Sequence, residues 1–333
     1  MKASDIASSV KLLLLSGKVP LVLGPPGIGK TSVIEQVTAE LGDELLVTRL
    51  ADKEPVDLLG LPVVDMKSGT TKWLTPDEFP RGKKPITWFF DEWAQGLPTV
   101  QNVAGRLLNE RKLGNYTLPD NVRIVAASNR NKDRAATNRI PGHIASRFTW
   151  LTMEADINDW SGWAAKNAVD QNVIDFLRWR DNLLSAYDPS ADVSPNPRAW
   201  ENVSDVRKMA KKQGMILNHA VEEAIYAGMV GPGAASEFMG VMQTLKGLGD
   251  PTAMLMNAAS ATLPTAPATL AALSIGISRK ATQANMAQVV TLANRLPDEF
   301  SVLLIMLATK RDEALSRTRP YVDWSVKHAD ALG

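Results

Sequence analysis

The stretch Gly24-Pro25-Pro26-Gly27-Ile28-Gly29-Lys30-Thr31 decides the fold of this chain of 333 residues. It fits the pattern G-x-x-x-x-G-K-[ST], in which backbone N–H groups surround a phosphate chain and the lysine reaches the outer phosphates. Glycines keep side chains out of such a loop, and the closing hydroxyl is placed to bind Mg²⁺. We therefore predict that Pro25 to Ser32 bind a nucleotide, with Lys30 on its phosphates and Thr31 on the metal.

The residues on either side of this loop predict the strand and helix that the pattern requires. Residues 19–23 are an apolar run of strand length. Residues 32–41 carry Val33, Val37 and Leu41 at helical spacing, on one face. This strand, loop and helix context favours a phosphate-binding loop over a glycine-rich turn that binds nothing.

Composition limits the classes of protein to consider. The chain has 45% hydrophobic and 22% charged residues, which is ordinary for a globular protein, and its net charge of +1 gives no global attraction to nucleic acid or to an anionic membrane. It contains no cysteine, and its three histidines lie far apart, which disfavours disulfides and zinc sites. A reducing, cytoplasmic location is compatible with this composition.

Two apolar stretches need a separate interpretation. Residues 251–278 carry no charge, but Pro251, Pro264 and Pro267 interrupt them, so we predict a small-residue linker and a buried helix rather than a membrane span. The four leucines at 12–15 lie within an otherwise polar helix and do not form a secretory signal. We therefore expect no membrane association.

Apolar strand-like runs alternate with helical patterns in the first half of the chain. The runs at 45–50, 86–90, 122–127 and 148–153 predict, with residues 19–23, a parallel α/β sheet over residues 1–153. Hairpins are predicted at 61–74 and 112–118. The remainder predicts helices, which we divide into a helical lid over residues 154–235 and a helical C-terminal extension over residues 236–333.

Polar residues end two of these predicted strands. Asp91 and Glu92 follow residues 86–90, and Ser128 and Asn129 follow residues 122–127. Ligands of open α/β sheets bind at the carboxyl ends of the strands, so Asp91 is predicted to hold Mg²⁺ with Thr31, and Glu92 to polarise the water that attacks a nucleotide. Asn129 would position the same water. A water-activating acid favours hydrolysis over transfer to a substrate hydroxyl.

The order of these motifs resembles the AAA+ ATPases, and within them the MoxR-type group with an insert in the second helix. The resemblance covers about residues 15–205. It runs through the following segments: Asp57-Leu58-Leu59-Gly60, the two hairpins, Leu108-Asn109-Glu110-Arg111, Leu118-Pro119-Asp120 and Ala127-Ser128-Asn129. The sequence differs from the group's usual motifs at Phe90-Asp91-Glu92-Trp93 and in the residues before Phe148.

The resemblance implies roles for Asn129 and for two arginines. Asn129 would be sensor 1, Arg147 an arginine finger that reaches the nucleotide of a neighbouring subunit, and Arg198 sensor 2. Arg139 or Arg134 would share or replace the finger. Lys30, Glu92, Asn129, Arg147 and Arg198 are thus the predicted catalytic residues, and ATP with Mg²⁺ the predicted ligands.

The resemblance also implies an assembly and a partner. We expect a homo-oligomeric ring, hexameric in the manner of the family, that uses ATP hydrolysis for chaperone-like remodelling of a protein partner. A partner with a metal-dependent adhesion-type domain is typical of the group. Basic patches such as residues 81–84 and 207–212 leave a nucleic-acid motor or restriction-type ATPase as the alternative. A third reading is a nucleotide-gated binding module with negligible turnover.

Overall fold

The computed structural model of the chain describes residues 1–130, 133, 137–248 and 251–329. The chain forms two compact units. The first comprises Met1–Trp160 and Ser185–Arg198, and the second comprises Ser161–Leu184 and the residues from Ala199 onward. The boundaries at residues 153 and 235 that the sequence suggested stay predictions.

The first unit is built on a parallel sheet, as predicted. Its strands are β1 (Val19–Leu23), β2 (Glu44–Arg49), β3 (Leu61–Asp65), β4 (Thr70–Leu74), β5 (Ile86–Asp91), β6 (Lys112–Leu113), β7 (Tyr116–Thr117), β8 (Val122–Ser128) and β9 (Phe148–Thr152). Five of them form the sheet in the order β2-β5-β8-β1-β9, with every neighbouring pair parallel. The pairs β3–β4 and β6–β7 are the two predicted hairpins.

Helices cover both faces of this sheet. They are α1 (Ala3–Leu15), α2 (Lys30–Leu41), α3 (Pro55–Leu59), α4 (Pro98–Glu110) and α5 (Gly142–Ala145). Trp88 and Phe90 of β5 belong to a core cluster with residues of α4, whereas Phe89 belongs to a second cluster with residues of α1 and α2. Neighbouring residues of a strand point to opposite faces, so the unit has helices, sheet and helices in three layers.

Between the apolar runs at 45–50 and 86–90 the sequence also predicts a short helix over residues 56–61, and the observed helix is one residue shorter. It occupies Pro55–Leu59, because Glu54 and Asp57 form a capping box at its start, and Leu61 already belongs to β3. The difference leaves the order of elements unchanged.

The strand register brings three predicted segments to one edge. Leu23 of β1 pairs with Ser128 of β8, and Arg49 of β2 pairs with Asp91 of β5. The backbone N–H of Gly24 donates to the carbonyl of Ser128 at 3.3 Å. The phosphate-binding loop, the carboxylates after β5 and the end of β8 therefore share the carboxyl edge of the sheet.

The second unit is helical in its described residues. Most of α6 lies in it, and α8 enters it from the first unit. The helices are α6 (Ile157–Lys166), α7 (Gln171–Trp179), α8 (Pro197–Lys212), α9 (His219–Val230), α10 (Pro232–Gly247), α11 (Thr252–Met256), α12 (Pro267–Ser278), α13 (Met286–Ala293), α14 (Asp298–Arg311) and α15 (Arg319–Lys327).

Aromatic and small apolar residues fill the core of this unit. The rings of Phe176 and Trp200 lie 5.5 Å apart, and both contact the ring of Phe238. The uncharged stretch contains α12, which buries residues on all sides, as a core helix does. Among the described ranges, no helix is long and apolar enough to cross a membrane.

Candidate functional site

The loop between β1 and α2 has a backbone that glycine makes possible. Gly27 and Gly29 have φ of 73° and 102°, which lie in the left-handed region. At Gly27 a Cβ would also meet the side-chain oxygen of Asn196 at 2.3 Å. The loop ends where Lys30 begins α2, so the N-terminus of a helix of 12 residues closes it. A concave backbone before a helix N-terminus is a cradle for an anion.

Lys30 lies at the centre of the site. Its ammonium group donates to the carbonyls of Gly24 at 2.9 Å and Pro25 at 3.0 Å, and to Oδ1 of Asn129 at 2.8 Å. These three bonds match the three donors of an ammonium group. The structure therefore brings together two residues predicted from stretches 99 positions apart in the sequence.

The surroundings of Lys30 lower its pKa. Burial lowers the pKa from the ordinary value of 10.5 to about 8, because the charged form loses its hydration. Asp91 and Asp133 act in the opposite direction, while Arg198 and Arg130 lower the pKa further. A buried cation with a destabilised charge is well prepared to accept a negatively charged ligand.

Thr31 and Asp91, the two residues predicted to hold Mg²⁺, lie side by side. The Thr31 hydroxyl donates to Oδ2 of Asp91 at 3.3 Å, and Oδ1 of Asp91 accepts from the backbone N–H of Glu92 at 2.8 Å. Hydroxyl and carboxylate oxygens are the ligands that Mg²⁺ prefers, usually with waters and substrate phosphates completing its shell. The residues present therefore fit a magnesium ion held partly by the nucleotide.

Glu92 has an unusual backbone. Its φ is 55° and its ψ is 40°, a left-handed conformation that a non-glycine residue adopts at a cost of about 1–2 kcal/mol. Its side chain is partly exposed at the carboxyl edge of the sheet. Strain of this kind is tolerated where surrounding contacts fix the chain, and it frequently accompanies function.

Other residues of the predicted nucleotide site lie in the same loop. Pro25 and Ile28 are buried, Pro26 is partly exposed, and Ser32 is exposed on the first turn of α2. Ile28 belongs to the core cluster between the sheet, α1 and α2. This contact fixes the loop to the core, so its exposed face is the backbone of Gly27 and Gly29.

A segment from the far side of the sequence lies against this loop. The backbone N–H of Arg198 donates to the carbonyl of Gly27 at 3.2 Å, and the Arg198 side chain is exposed. Asn196 packs on Gly27, and the Tyr187 hydroxyl donates to the carbonyl of Asp133 at 2.7 Å. The backbone of Arg198 therefore lies against the loop, and its role as sensor 2 stays a prediction.

Of the arginines predicted to act on a neighbouring nucleotide, Arg147 bonds to α4 rather than to Lys30. Nη1 of Arg147 donates to the carbonyl of Gly105 in α4 at 2.8 Å. A guanidinium has five N–H donors, so this bond uses one of them and holds the group against α4. Arg139 is exposed, and Arg134 lies outside the described residues.

Sequence reasoning missed two neighbours of the site. Asp133 is buried and forms a two-pronged ion pair with Arg130, with Nε and Nη2 at 2.9 and 2.8 Å from its carboxylate oxygens. Asn196, on the other side, fills the space above Gly27. The sequence offered one signal for each: Asp133 is the single acid among several basic residues, and Asn196 precedes Pro197-Arg198.

Residues 20–148 match the family model described as AAA domain (dynein-related subfamily). This range begins at β1 and reaches the start of β9, so it contains the loop, Asp91, Glu92, Asn129 and Arg147. The AAA domain has a nucleotide-binding fold of the P-loop kind, in agreement with the parallel sheet and the cradle described above. A search of curated proteins gave no significant match.

Several solved structures are similar to the chain at low identity. NtrX from Brucella abortus shares 16% identity over 62% of this chain and 51% of its own, with a TM-score of 0.39. NtrX in complex with ADP shares 12% identity over 98% and 68% of the two chains, with a TM-score of 0.42. The RuvB Holliday junction branch migration motor of Thermotoga maritima shares 14% over 82% and 81%, with a TM-score of 0.41. The chain spans about half of the length of the first of these.

Proposed function

We propose that the first unit binds ATP and hydrolyses it at the carboxyl edge of the sheet. The observation that carries this proposal is the pairing of Lys30 with Asn129 and of Thr31 with Asp91 at the start of α2, beside the left-handed Glu92. A cation, a hard-oxygen pair and a carboxylate at one edge are the parts that phosphoryl transfer to water requires. The match to an AAA domain supports the same chemistry.

Each residue has a distinct task in this proposal. The backbone of residues 24–29 and the Lys30 ammonium group bind the β- and γ-phosphates, so Lys30 exchanges protein acceptors for phosphate oxygens. Thr31 and Asp91 would hold Mg²⁺, which would neutralise phosphate charge. Glu92 accepts a proton from the attacking water. Asn129, released from Lys30, donates its amide N–H to the phosphate or the water, and Arg198 adds positive charge from the segment next to Gly27.

We further propose that the active form is a homo-oligomeric ring, a hexamer in the MoxR-type manner. Arg147 would then act on the nucleotide of the adjacent subunit, with Arg139 as the alternative because its side chain is exposed. A trans arginine accounts for about 10³–10⁵ in rate, so a single subunit is expected to turn over slowly. The bond from Arg147 to Gly105 supports a fixed position for this group.

The proposed output is chaperone-like remodelling of a protein partner. An observation that favours a protein is the β3–β4 hairpin, where Leu61, Val64, Met66 and Leu74 expose between 60% and 88% of their surfaces. Exposed apolar residues grouped in this way are typical of protein-binding surfaces. A partner with a metal-dependent adhesion-type domain, the MoxR assignment and a cytoplasmic location stay proposals from the sequence.

A nucleic-acid motor is the alternative output. Arg81, Lys83 and Lys84 form an exposed basic segment before β5, and Lys211 and Lys212 are exposed at the end of α8. Binding to phosphate backbones would make ATP turnover rise with added DNA and fall steeply with salt. The net charge of +1 and the apolar hairpin favour the protein partner.

The experiment that tests this proposal has two parts. ATP turnover of the wild-type protein is first measured with and without Mg²⁺, with DNA, and at two salt concentrations. The Glu92→Gln protein, which we expect to retain ATP without hydrolysing it, is then used to capture partners, with Lys30→Ala as the matched control that does not bind nucleotide. A protein retained by Glu92→Gln with ATP, absent from Lys30→Ala, and changing the wild-type turnover supports remodelling. Turnover that responds to DNA instead supports the motor.

A further inference from the structure

The turn that follows β5, residues 92–96, is held from several sides; we call it the β5 turn. It begins with the left-handed Glu92, whose carbonyl accepts from the backbone N–H of Gln95 at 3.0 Å. Trp93 is fully buried, with its ring 4.9 Å from that of Phe148 and 5.7 Å from that of Phe90. Trp93 therefore anchors the turn to the core, but it leaves the backbone of the next residues to be fixed by other groups.

Ser128 fixes this backbone from β8. Its hydroxyl accepts from the N–H of Ala94 at 3.0 Å and donates to Oε1 of Gln95 at 3.1 Å. The residue is 1% exposed, so no water replaces these bonds readily. Ser128 immediately precedes Asn129, and it thereby connects the turn that carries Glu92 to the strand that carries the partner of Lys30.

Asn138 fixes the same turn from the opposite side. Its Nδ2 donates to the carbonyl of Gly96 at 3.0 Å, and its backbone N–H donates to the carbonyl of Ala94. Gln101 of α4 also donates to the carbonyl of Gly96, at 3.0 Å. Asn138 is followed by the exposed Arg139, so the segment that offers this arginine at the surface is tied to the β5 turn.

We propose that Ser128 and Asn138 are positioning residues for Glu92. Their bonds fix the β5 turn to β8 and to the segment before α5. They thereby keep the backbone of Glu92 in its left-handed conformation, which directs the carboxylate to the water. This inference rests on the hydrolysis proposed above. It assigns to these side chains an effect on the rate of hydrolysis that is separate from nucleotide binding, because their bonds end on the β5 turn. Ser128 contacts the loop of residues 24–29 through its backbone carbonyl, which accepts from Gly24 and which substitution of the side chain leaves in place.

The test compares Ser128→Ala, which removes the hydroxyl, with Ser128→Thr, which keeps it. For both variants, kcat and KM for ATP are measured by phosphate release, and the Kd is measured with a fluorescent ADP analogue. We expect Ser128→Ala to lower kcat about tenfold or more, because a displacement of 1 Å costs up to about 10²-fold in rate. KM and Kd should stay within about twofold, and Ser128→Thr should recover most of the rate.

A double variant separates positioning from general loss of structure. In the Glu92→Gln background, where hydrolysis is already lost, Ser128→Ala should leave the nucleotide Kd and the retention of ATP within about twofold, since a positioning residue acts on the rate alone. If Ser128→Ala does not fold, Asn138→Ala provides the same comparison, as its backbone bond to Ala94 is retained.

The outcomes distinguish the inference from the proposed function. If the wild type shows no hydrolysis that Glu92→Gln abolishes, the proposed function fails and the inference fails with it. If Glu92→Gln is inactive while Ser128→Ala and Asn138→Ala keep the wild-type kcat, only the inference is overturned. If Ser128→Ala weakens nucleotide binding and lowers kcat to the same extent, and Ser128→Thr does not restore them, the inference is also overturned. Such a result would indicate a merely structural role for Ser128.

Discussion

The lowered pKa of Lys30 predicts that nucleotide affinity falls as the pH rises. Without nucleotide this pKa is about 8, because burial opposes the charged form. Bound phosphates would restore the pKa to its ordinary value of about 10.5 or above, since they stabilise the ammonium group. Between these two values, binding therefore requires the uptake of a proton, and the cost of that uptake grows with pH.

The size of this effect follows from the two pKa values. At pH 7.5 most of the Lys30 ammonium is already charged, whereas at pH 9.0 only about a tenth of it is. With a pKa of 10.5 in the complex, affinity should fall about eightfold between these pH values, or ~1.2 kcal/mol. The sign is fixed: affinity is full well below pH 8 and declines as the pH rises through 8. Phosphate groups themselves titrate near pH 6 and do not interfere.

The assay is titration with a fluorescent ADP analogue at half-unit steps from pH 7.5 to 9.0. Calorimetry in two buffers of different ionisation enthalpy measures the proton uptake, which should approach about 0.9 per nucleotide at pH 9.0. Lys30→Arg is the control, because arginine stays charged throughout this range and should bind more weakly but without the pH dependence. A wild-type affinity that does not change with pH, or an equal slope in Lys30→Arg, would refute the reasoning.

Three other predictions follow from single contacts. Gly27→Ala should weaken nucleotide binding, measured by ADP titration, since its Cβ would meet Asn196 at 2.3 Å. Gly42→Ala is the control, because Gly42 has nearly the same φ but open space around it. This control should show only the backbone cost of about 1–2 kcal/mol in thermal unfolding. Arg147→Ala should reduce ATP turnover of the assembled protein by about 10³-fold or more. Mixing Arg147→Ala with Lys30→Ala subunits should restore part of that activity, and no restoration would argue against action in trans. Replacing Val64 and Met66 by Ser should leave unfolding and basal turnover unchanged, because both are exposed, and should abolish capture of a protein partner.

Much of the fold could be predicted because the relevant signals are local. The apolar runs before Gly24 and Asp91 define strands, and the glycines at 27 and 29 define a loop that other residues cannot form. The buried helix α12 follows from its uncharged, apolar sequence. The order of strands in the sheet did not follow, since it depends on packing between segments that are distant in the sequence.

The parts of the site that escaped prediction are also non-local. Asn196 reaches Gly27 only because residues 185–198 return to the first unit, and Asp133 is buried only because Arg130 and Tyr187 satisfy its carboxylate and its carbonyl. The bond from Arg147 to Gly105 depends on the path of α4. The left-handed Glu92 is likewise a product of the tertiary contacts that hold the β5 turn. Residue types and their spacing predict which residues belong to the candidate site. The tertiary contacts determine the conformation and position of each of these residues.

The most direct test of the central claim is single-turnover release of phosphate from ATP by the wild-type and Glu92→Gln proteins, with nucleotide occupancy measured in the same samples. If the carboxyl edge of the sheet is a hydrolytic site, both proteins bind ATP in the presence of Mg²⁺, and only the wild type releases phosphate. Release at the wild-type rate by Glu92→Gln, or failure of the wild-type protein to bind ATP, would contradict the claim.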